Sequence, residues 1–252
     1  MSLNLDDKKA VVAEVSPDGE LKLAGLGVAP SYGIKRGVVV NIDATVQSIQ
    51  QALKEAEMMA DCKISRVFTG IAGSHIKSFN SHGMVAIKDR EVTPADVARV
   101  IETAKAINIS TDQRLLLVEP QEFIIDGQDV REPIGMSGIR MEANVHIVTS
   151  LFTAMQNIYR CVERAGLTVS DIVLEPLASS NAVLDNDEKE VGVALIDIGG
   201  GTTDIAVISM GGTVVSKTLK IAGDKFNDDI IKFVRDEFKL AVGEPSAEYA
   251  KI

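Results

Sequence analysis

The sequence predicts an α/β protein into which a smaller α+β module has been inserted. Three observations carry that expectation. Residues 191–209, VGVALIDIGGGTTDIAVIS, read as two apolar strands joined by a glycine turn. Residues 10–72 read strand, strand, strand, helix, strand, which is how a layered α/β unit opens. From Gly70 the texture changes, with glycines at 70, 73 and 83 inside strand-like sequence, suggesting a bent hairpin or the entry to a second unit that runs to residue 149. The expected organisation is therefore a first domain from 1–67 and 150–187, an inserted module at 68–149, and the start of a second domain at 188–252.

In chain order, residues 10–29 alternate around Ser16-Pro17-Asp18-Gly19 and predict a β-hairpin. A third strand is expected over 37–42 (GVVVNI). Asp43 is then expected to cap a helix whose apolar face carries Val46, Ile49, Leu53, Ala56 and Met59. Ile64 to Ala72 returns to strand. Thr93-Pro94-Ala95-Asp96 starts the module's helix, with a capping hydroxyl and proline at the first helical position. Val97, Val100, Ile101, Ala104 and Ile107 form its buried stripe, and two long strand-like runs follow over 114–126 and 139–150. Thr149 or Ser150 is expected to cap the next helix, with Ala154, Ile158, Cys161, Val162 and Ala165 inward and Gly166 ending it. A strand at 168–175 leads through Pro176 into a short helix, and the acidic run 185–190 reads as a polar linker. After the glycine hairpin come a strand at 213–221, a helix behind Ala222-Gly223-Asp224, and the start of another helix near the end of the sequence.

Composition narrows the function. With 26 basic against 36 acidic residues, a net charge of −10 and no basic block, the chain lacks a nucleic-acid surface. Cys62 and Cys161 read as buried apolar residues of a reducing compartment, and the three histidines show no metal-ligand spacing. No leader peptide and no apolar run of membrane-spanning length is expected. The glycine turn is the chemically loaded stretch. Gly199, Gly200 and Gly201 can turn backbone N–H groups toward an anion, and the Thr202 and Thr203 hydroxyls can add hydrogen bonds. Asp197 and Asp204 flank it, where they would repel a phosphate unless a Mg²⁺ lay between. An ordinary hairpin turn that binds nothing is the competing reading.

These residues resemble the FtsA family of bacterial cell-division proteins, within the actin, MreB and Hsp70 superfamily. The landmarks are Gly33-x-x-Arg36-Gly37-x-x-x-Asn41-Ile42, AEMMA at 56–60, GIAGSHI at 70–76, NSHGMVAI at 80–87, PIGMSGIRM at 133–141, VHIVTS at 145–150 and LASSNAVL at 177–184. The resemblance implies an actin-like (ribonuclease H-like) two-domain ATPase fold carrying the inserted module, with the second domain incomplete. It makes 197–204 the second phosphate loop, with Asp197 facing the water shell of Mg²⁺. Gly223 and Asp224 become the glycine turn of the second domain, and Glu248 with Lys251 the pair that reaches the ribose and adenine. Glu175 takes the place of the carboxylate that orients attacking water. A solvated helix pair for Glu248 and Lys251, and a helix-start acid for Glu175, stay open beside those roles. Two stretches depart from the family pattern. Met1 to Lys9, MSLNLDDKK, lacks the glycine of a first phosphate loop, and the tail from Val234 reads more like MreB.

The function implied is that of an adaptor which binds ATP, self-associates, and tethers FtsZ filaments to the inner face of the cytoplasmic membrane at the septum. Later division proteins would meet residues 68–149, and the membrane would be reached through a C-terminal amphipathic helix outside these residues. The expected activity is weak ATP hydrolysis at most, with weak Mg-ATP binding by this chain alone. The alternative is an MreB-, PilM- or Hsp70-like ATPase or phosphotransferase on the same fold.

Overall fold

The computed structural model describes residues 2–4, 9–209 and 211–251. Strand β1 (Ser2–Asn4) is followed by β2 (Lys9–Val15), β3 (Leu21–Val28), the short β4 (Ile34–Lys35) and β5 (Val38–Val39), helix α1 (Ile42–Ala60) and β6 (Arg66–Ile71). Next come β7 (Lys77–Ala86), α2 (Pro94–Lys105), β8 (Gln113–Ile125), β9 (Gln128–Val130) and β10 (Arg140–Leu151). The chain continues through α3 (Phe152–Arg164), β11 (Thr168–Leu174), α4 (Glu175–Val183) and α5 (Asn186–Val191). It closes with β12 (Val193–Ile198), β13 (Thr203–Ser209), β14 (Gly212–Leu219), α6 (Gly223–Phe238) and α7 (Glu244–Lys251).

The first sheet has the order β11-β6-β1-β2-β3, with β6 parallel to both β1 and β11. Helices α1 and α3 cover it, and their apolar faces meet strand residues such as Ala10, Val12, Val67 and Ile172 in one core. The inward positions expected for α3 are all buried, because Ala154, Ile158, Cys161, Val162 and Ala165 fall three or four apart on one stripe. On α1 the stripe holds through Ala56, whereas Met59 is 61% exposed at the helix end. The second sheet, β7-β10-β8-β9, packs α2 on one face. Met141, Ala143, Val145 and Ile147 alternate along β10 with zero exposure, the period-two signature of a strand under a helix. The third sheet is the meander β12-β13-β14.

Helix starts depart from the sequence reading in three places. Asn41, not Asp43, caps α1, its side chain accepting from the Ala44 amide. That cap ends the expected third strand early, so only Val38–Val39 pairs, antiparallel to Ile34–Lys35. Thr149 and Ser150 stay in β10, paired with Leu115 and Arg114, and α3 starts with no side-chain cap. The acidic run at 185–190 is not a bare linker, since Asp185 and Glu188 form a capping box that winds α5. The expected Thr93 cap is formed, and Asp96 completes it as a capping box. Cys62 is exposed just beyond α1 rather than buried, whereas Cys161 is fully buried. Of Met1 to Lys9, where the resemblance looks for a first phosphate loop, Met1 and residues 5–8 lie outside the described residues.

Candidate functional site

The glycine turn sits where β12 and β13 meet, with Ile198 opposite Thr203 and Asp197 opposite Asp204. The Gly199 N–H donates to the Thr202 carbonyl at 2.9 Å, closing the turn. None of the three glycines takes a positive φ, so the turn is not a nest of alternating handedness. What glycine supplies is close approach. A Cβ on Gly200 would stand 3.3 Å from Asp224 Oδ1, and one on Gly201 would stand 3.3 Å from Arg36 Cα.

The turn is also the cap of α6. The Gly223 and Asp224 amides donate to the Gly199 and Gly200 carbonyls at 3.0 and 2.8 Å, replacing the side-chain cap that Ala222 cannot give. Those helix-end donors are therefore not available to a ligand. The Thr203 hydroxyl donates to the Ile221 carbonyl at 2.7 Å, and the Thr202 hydroxyl bears on the Asp204 carboxylate. Neither threonine is the free donor that the sequence reading gave it. Among the described residues, the turn amides left without a partner are those of Gly200, Gly201 and Thr202, of which the first two line a cleft.

That cleft has a volume of about 580 Å³. Its opposite wall is the β4–β5 hairpin, with Lys35 and Arg36, and Lys220 and Lys225 complete a cationic lining that Asp224 and Asp228 interrupt. Lys225 is paired with Asp229. Among the described residues Lys35, Arg36 and Lys220 form no ion pair. Lys35, Arg36 and Lys220 are exposed to solvent, so the cleft can admit an anion beside the turn amides, with Asp224 and Asp228 tempering its positive charge.

A second group of residues hangs from α4. Glu175 begins that helix at the C-terminal end of β11, the sheet edge where α/β folds take ligands. It lies over Gly70, where an added Cβ would come 2.7 Å from Glu175 Oε1. One turn on, Ser179 Oγ donates to Asp197 Oδ2 at 3.1 Å, so Asp197 meets the face of α4 that carries Glu175 and Ser179. Asp204 is 7% exposed beside Asp197. Burial pushes its carboxyl above the ordinary carboxylate range and the Asp197 charge adds to that, while the Thr218 and Thr202 hydroxyls pull it back. A like-charge cross-strand pair of this kind fits a cation. Among the described residues no three His, Cys, Asp or Glu side chains converge to hold a metal alone. The donor set therefore suits Mg²⁺ that keeps its waters and phosphate ligands, rather than an all-protein cage.

Glu248 and Lys251 do not line the cleft. Glu248 accepts from Asn227 Nδ2 at 2.7 Å and from Lys251 Nζ at 2.6 Å, which holds its carboxyl below the usual range and pins α7 to α6. A Cβ on Gly223 would be 3.1 Å from Lys251 Nζ, so the pair abuts the α6 turn from behind. Asn227 is buried with its Oδ1 unpartnered, and sequence reading passed over it, as it did Ser179 and the cleft cations Lys35, Lys220 and Lys225. The lysines and Ser179 carry no local signal. Arg36 does, as an arginine before glycine between two strand-like runs.

The family model described as "SHS2 domain inserted in FTSA" matches residues 73–149, and that of "MreB/Mbl protein" matches 148–252. The cell division protein FtsA of Pseudomonas aeruginosa is 56% identical over 92% of this chain and 56% of its own length. That of Neisseria meningitidis is 52% identical over 96% of this chain and 58% of its own. For Escherichia coli K12 the figures are 44%, 88% and 53%. The chain thus spans a little over half the length of these relatives. Among solved structures, the PilM-PilN type IV pilus biogenesis complex superposes with a TM-score of 0.69 at 17% identity, covering 99% of this chain and 67% of that one. The ethanolamine utilization protein EutJ of Carboxydothermus hydrogenoformans gives 0.53 at 17% identity, covering 99% and 60%. These two likenesses bear on the fold alone, which is actin-like with an inserted SHS2 module.

Proposed function

From the premise that this chain is a relative of FtsA through about nine-tenths of its length, we propose that it is the nucleotide-binding part of an actin-like cell-division adaptor. The adaptor binds ATP with Mg²⁺, self-associates, and tethers FtsZ filaments to the inner face of the cytoplasmic membrane at the septum. Residues 1–67 with 150–187 form its first domain, 188–252 begin its second, and 68–149 meet later division proteins. Membrane contact in such an adaptor is made through an amphipathic helix that residues 1–252 do not supply; among the described residues no helix is long and apolar enough to cross a membrane.

One observation carries the nucleotide reading. Among the described residues the Gly200 and Gly201 amides have no partner, and they line one cleft with Lys35, Arg36 and Lys220, which form no ion pair. That lining suits the negative oxygens of a polyphosphate. Lys220 and Lys225 offer charge from the second domain's side and Lys35 from the first, so a bound triphosphate favours the closed arrangement of both. Asp197 and Asp204 would hold Mg²⁺ through its waters, and the ion would supply charge neutralisation for the phosphates. Ser179 orients Asp197 toward that place, and Gly223 with Asp224 anchors the turn through its carbonyls. Glu248 and Lys251 brace α7 against α6 and the same turn, outside the cleft.

An amide NMR titration of the chain with Mg-ATP tests this. Gly200 and Gly201 shift as ATP is raised into the millimolar range, and Gly201→Val, which drives a side chain into Arg36, abolishes the shifts. Spectra unmoved by ATP would sink the reading. A phosphotransferase or ATPase has one observation of its own, Glu175 half-buried at the carboxyl edge of the parallel strands. Glu175→Ala separates the two: the adaptor keeps its ATP affinity and loses only slow turnover, on the order of one per minute or less.

A further inference from the structure

Strands β4 and β5 pair Ile34 with Val39 and Lys35 with Val38, leaving Arg36 and Gly37 as a two-residue loop. Both have positive φ, 52° and 73°, which is a type I′ turn. Such a turn favours Asn, Asp or Gly at its first position and Gly at its second. Gly37 follows that rule and has a further reason to be glycine, since a Cβ there would lie 2.7 Å from the Ala72 carbonyl oxygen. Arg36 breaks it. An L-residue with a long side chain sits in the left-handed region at a strain that Asn would largely relieve. Local structure thus accounts for the glycine and leaves the arginine unexplained.

Its surroundings supply the reason. The Arg36 backbone lies against Gly201, with Cα, N and Cγ at 3.3, 3.4 and 3.6 Å from where a Cβ on that glycine would stand. Arg36 borders the same cleft as the free Gly200 amide and as Lys35 and Lys220. Among the described residues its guanidinium meets no carboxylate and no carbonyl. An arginine is charged at every physiological pH, and its planar fork matches two oxygens of one phosphate group. Residues that break a local rule without a packing gain mark functional positions.

We propose that Arg36 is a phosphate-binding residue, gripping the polyphosphate from the first-domain wall while the Gly200 and Gly201 amides hold it from the second. The inference rests on the phosphate reading of the cleft and assigns the opposing contact to one side chain. Lys35 and Lys220 contribute charge, but Arg36 alone pairs a fixed backbone with a bidentate head at the glycine turn.

Arg36→Asn and Arg36→Lys, titrated with ATP, with inorganic tripolyphosphate and with adenosine, test it. Asn is the residue the turn prefers, so Arg36→Asn raises the thermal midpoint while lowering affinity for ATP and tripolyphosphate about tenfold. Adenosine binding is unchanged in both variants. Arg36→Lys keeps the charge, loses the fork, and falls between wild type and Arg36→Asn for both anions. If wild type binds tripolyphosphate and Arg36→Asn binds it equally well, Arg36 is not a phosphate contact, and the nucleotide site stands without it. If Arg36→Asn loses adenosine as strongly as tripolyphosphate, its role is structural and the proposal fails. If wild type binds neither ATP nor tripolyphosphate, the phosphate reading of the cleft falls, and this inference falls with it.

Discussion

Asp204 is a carboxyl whose surroundings disfavour its charge. Burial and the facing Asp197 raise its pKa above 3.8, against the pull of two threonine hydroxyls. A carboxyl raised on folding adds no penalty below its unfolded value and weakens the fold as pH rises through the raised one. Asp204→Asn, which still accepts from Thr218, is therefore more stable than wild type at neutral pH. The gain is on the order of 1 kcal/mol per pK unit of upward shift, measured by urea unfolding. The gain vanishes as pH falls below 3.8, and a gain that persists in acid refutes the assignment. Two histidines have the opposite sign. His75, with neither ring nitrogen partnered among the described residues, and His146, whose Nδ1 meets Asn80 Oδ1 at 2.6 Å, are both lowered from 6.5 by desolvation. The Glu119 charge opposes this at His146. Their contribution is complete above 6.5 and is lost as pH falls through the depressed values. Each adds up to about 1.4 kcal/mol per pH unit to the acid-side slope of unfolding free energy, and His75→Asn with His146→Asn flattens that slope.

Among the elements, one device recurs where α1 lies on the first sheet and α2 on the second. Gly25 and Gly27 of β3 face Ala56 and Ala52 of α1, and a Cβ at Gly27 would stand 1.8 Å from the Ala52 carbonyl oxygen. In the second sheet Gly83 of β7 faces Val100 and Ala104 of α2, with a Cβ 2.4 Å from the Val100 oxygen. Small residues on both sides let the backbones close up, and no rotamer change can relieve an atom placed against main chain. Gly27→Ala is expected to lose about 2–4 kcal/mol in urea unfolding. Gly19→Ala, where φ is +87° and the space is open, loses only about 1 kcal/mol. A Gly27→Ala loss no larger than that of Gly19→Ala would mean the helix can lift away. The helix stripes were legible in the sequence because 3.6-residue periodicity is a property of neighbours. These glycines were not, because a strand glycine reads as a bulge or bend until the helix above it is known.

At the scale of the whole molecule, the third sheet docks on the second through polar contacts. Ser78 Oγ donates to the Ser216 carbonyl at 3.1 Å and Gln121 Nε2 to the Thr213 carbonyl at 2.7 Å, while the Thr213 amide donates to Glu119 at 3.1 Å. Arg131 pairs with Glu190 at the same seam. Hydrogen bonds of this kind contribute about 1 kcal/mol each, so the seam is weaker than either core. Glu119→Ala with Gln121→Ala is expected to speed amide exchange along β14 and leave the central residues of β10 and α1 unchanged. Equal acceleration in the cores would show that the seam is not a separate unit.

The sequence by itself determined the α/β alternation, the helix start at Thr93, the α3 stripe and the glycine hairpin flanked by Asp197 and Asp204. Each depends on residues close in the chain, through periodicity, turn chemistry or strand register. Only the tertiary structure decided what that hairpin can offer. It turned the Gly199 and Gly200 carbonyls to cap α6, engaged both threonine hydroxyls, and left two amides facing the Arg36 turn from a distant part of the chain. It set Glu175 over Gly70 and Ser179 against Asp197, and kept Glu248 and Lys251 behind the turn. A cleft between segments far apart in the chain is fixed by how their sheets and helices pack, and no local pattern records that distance.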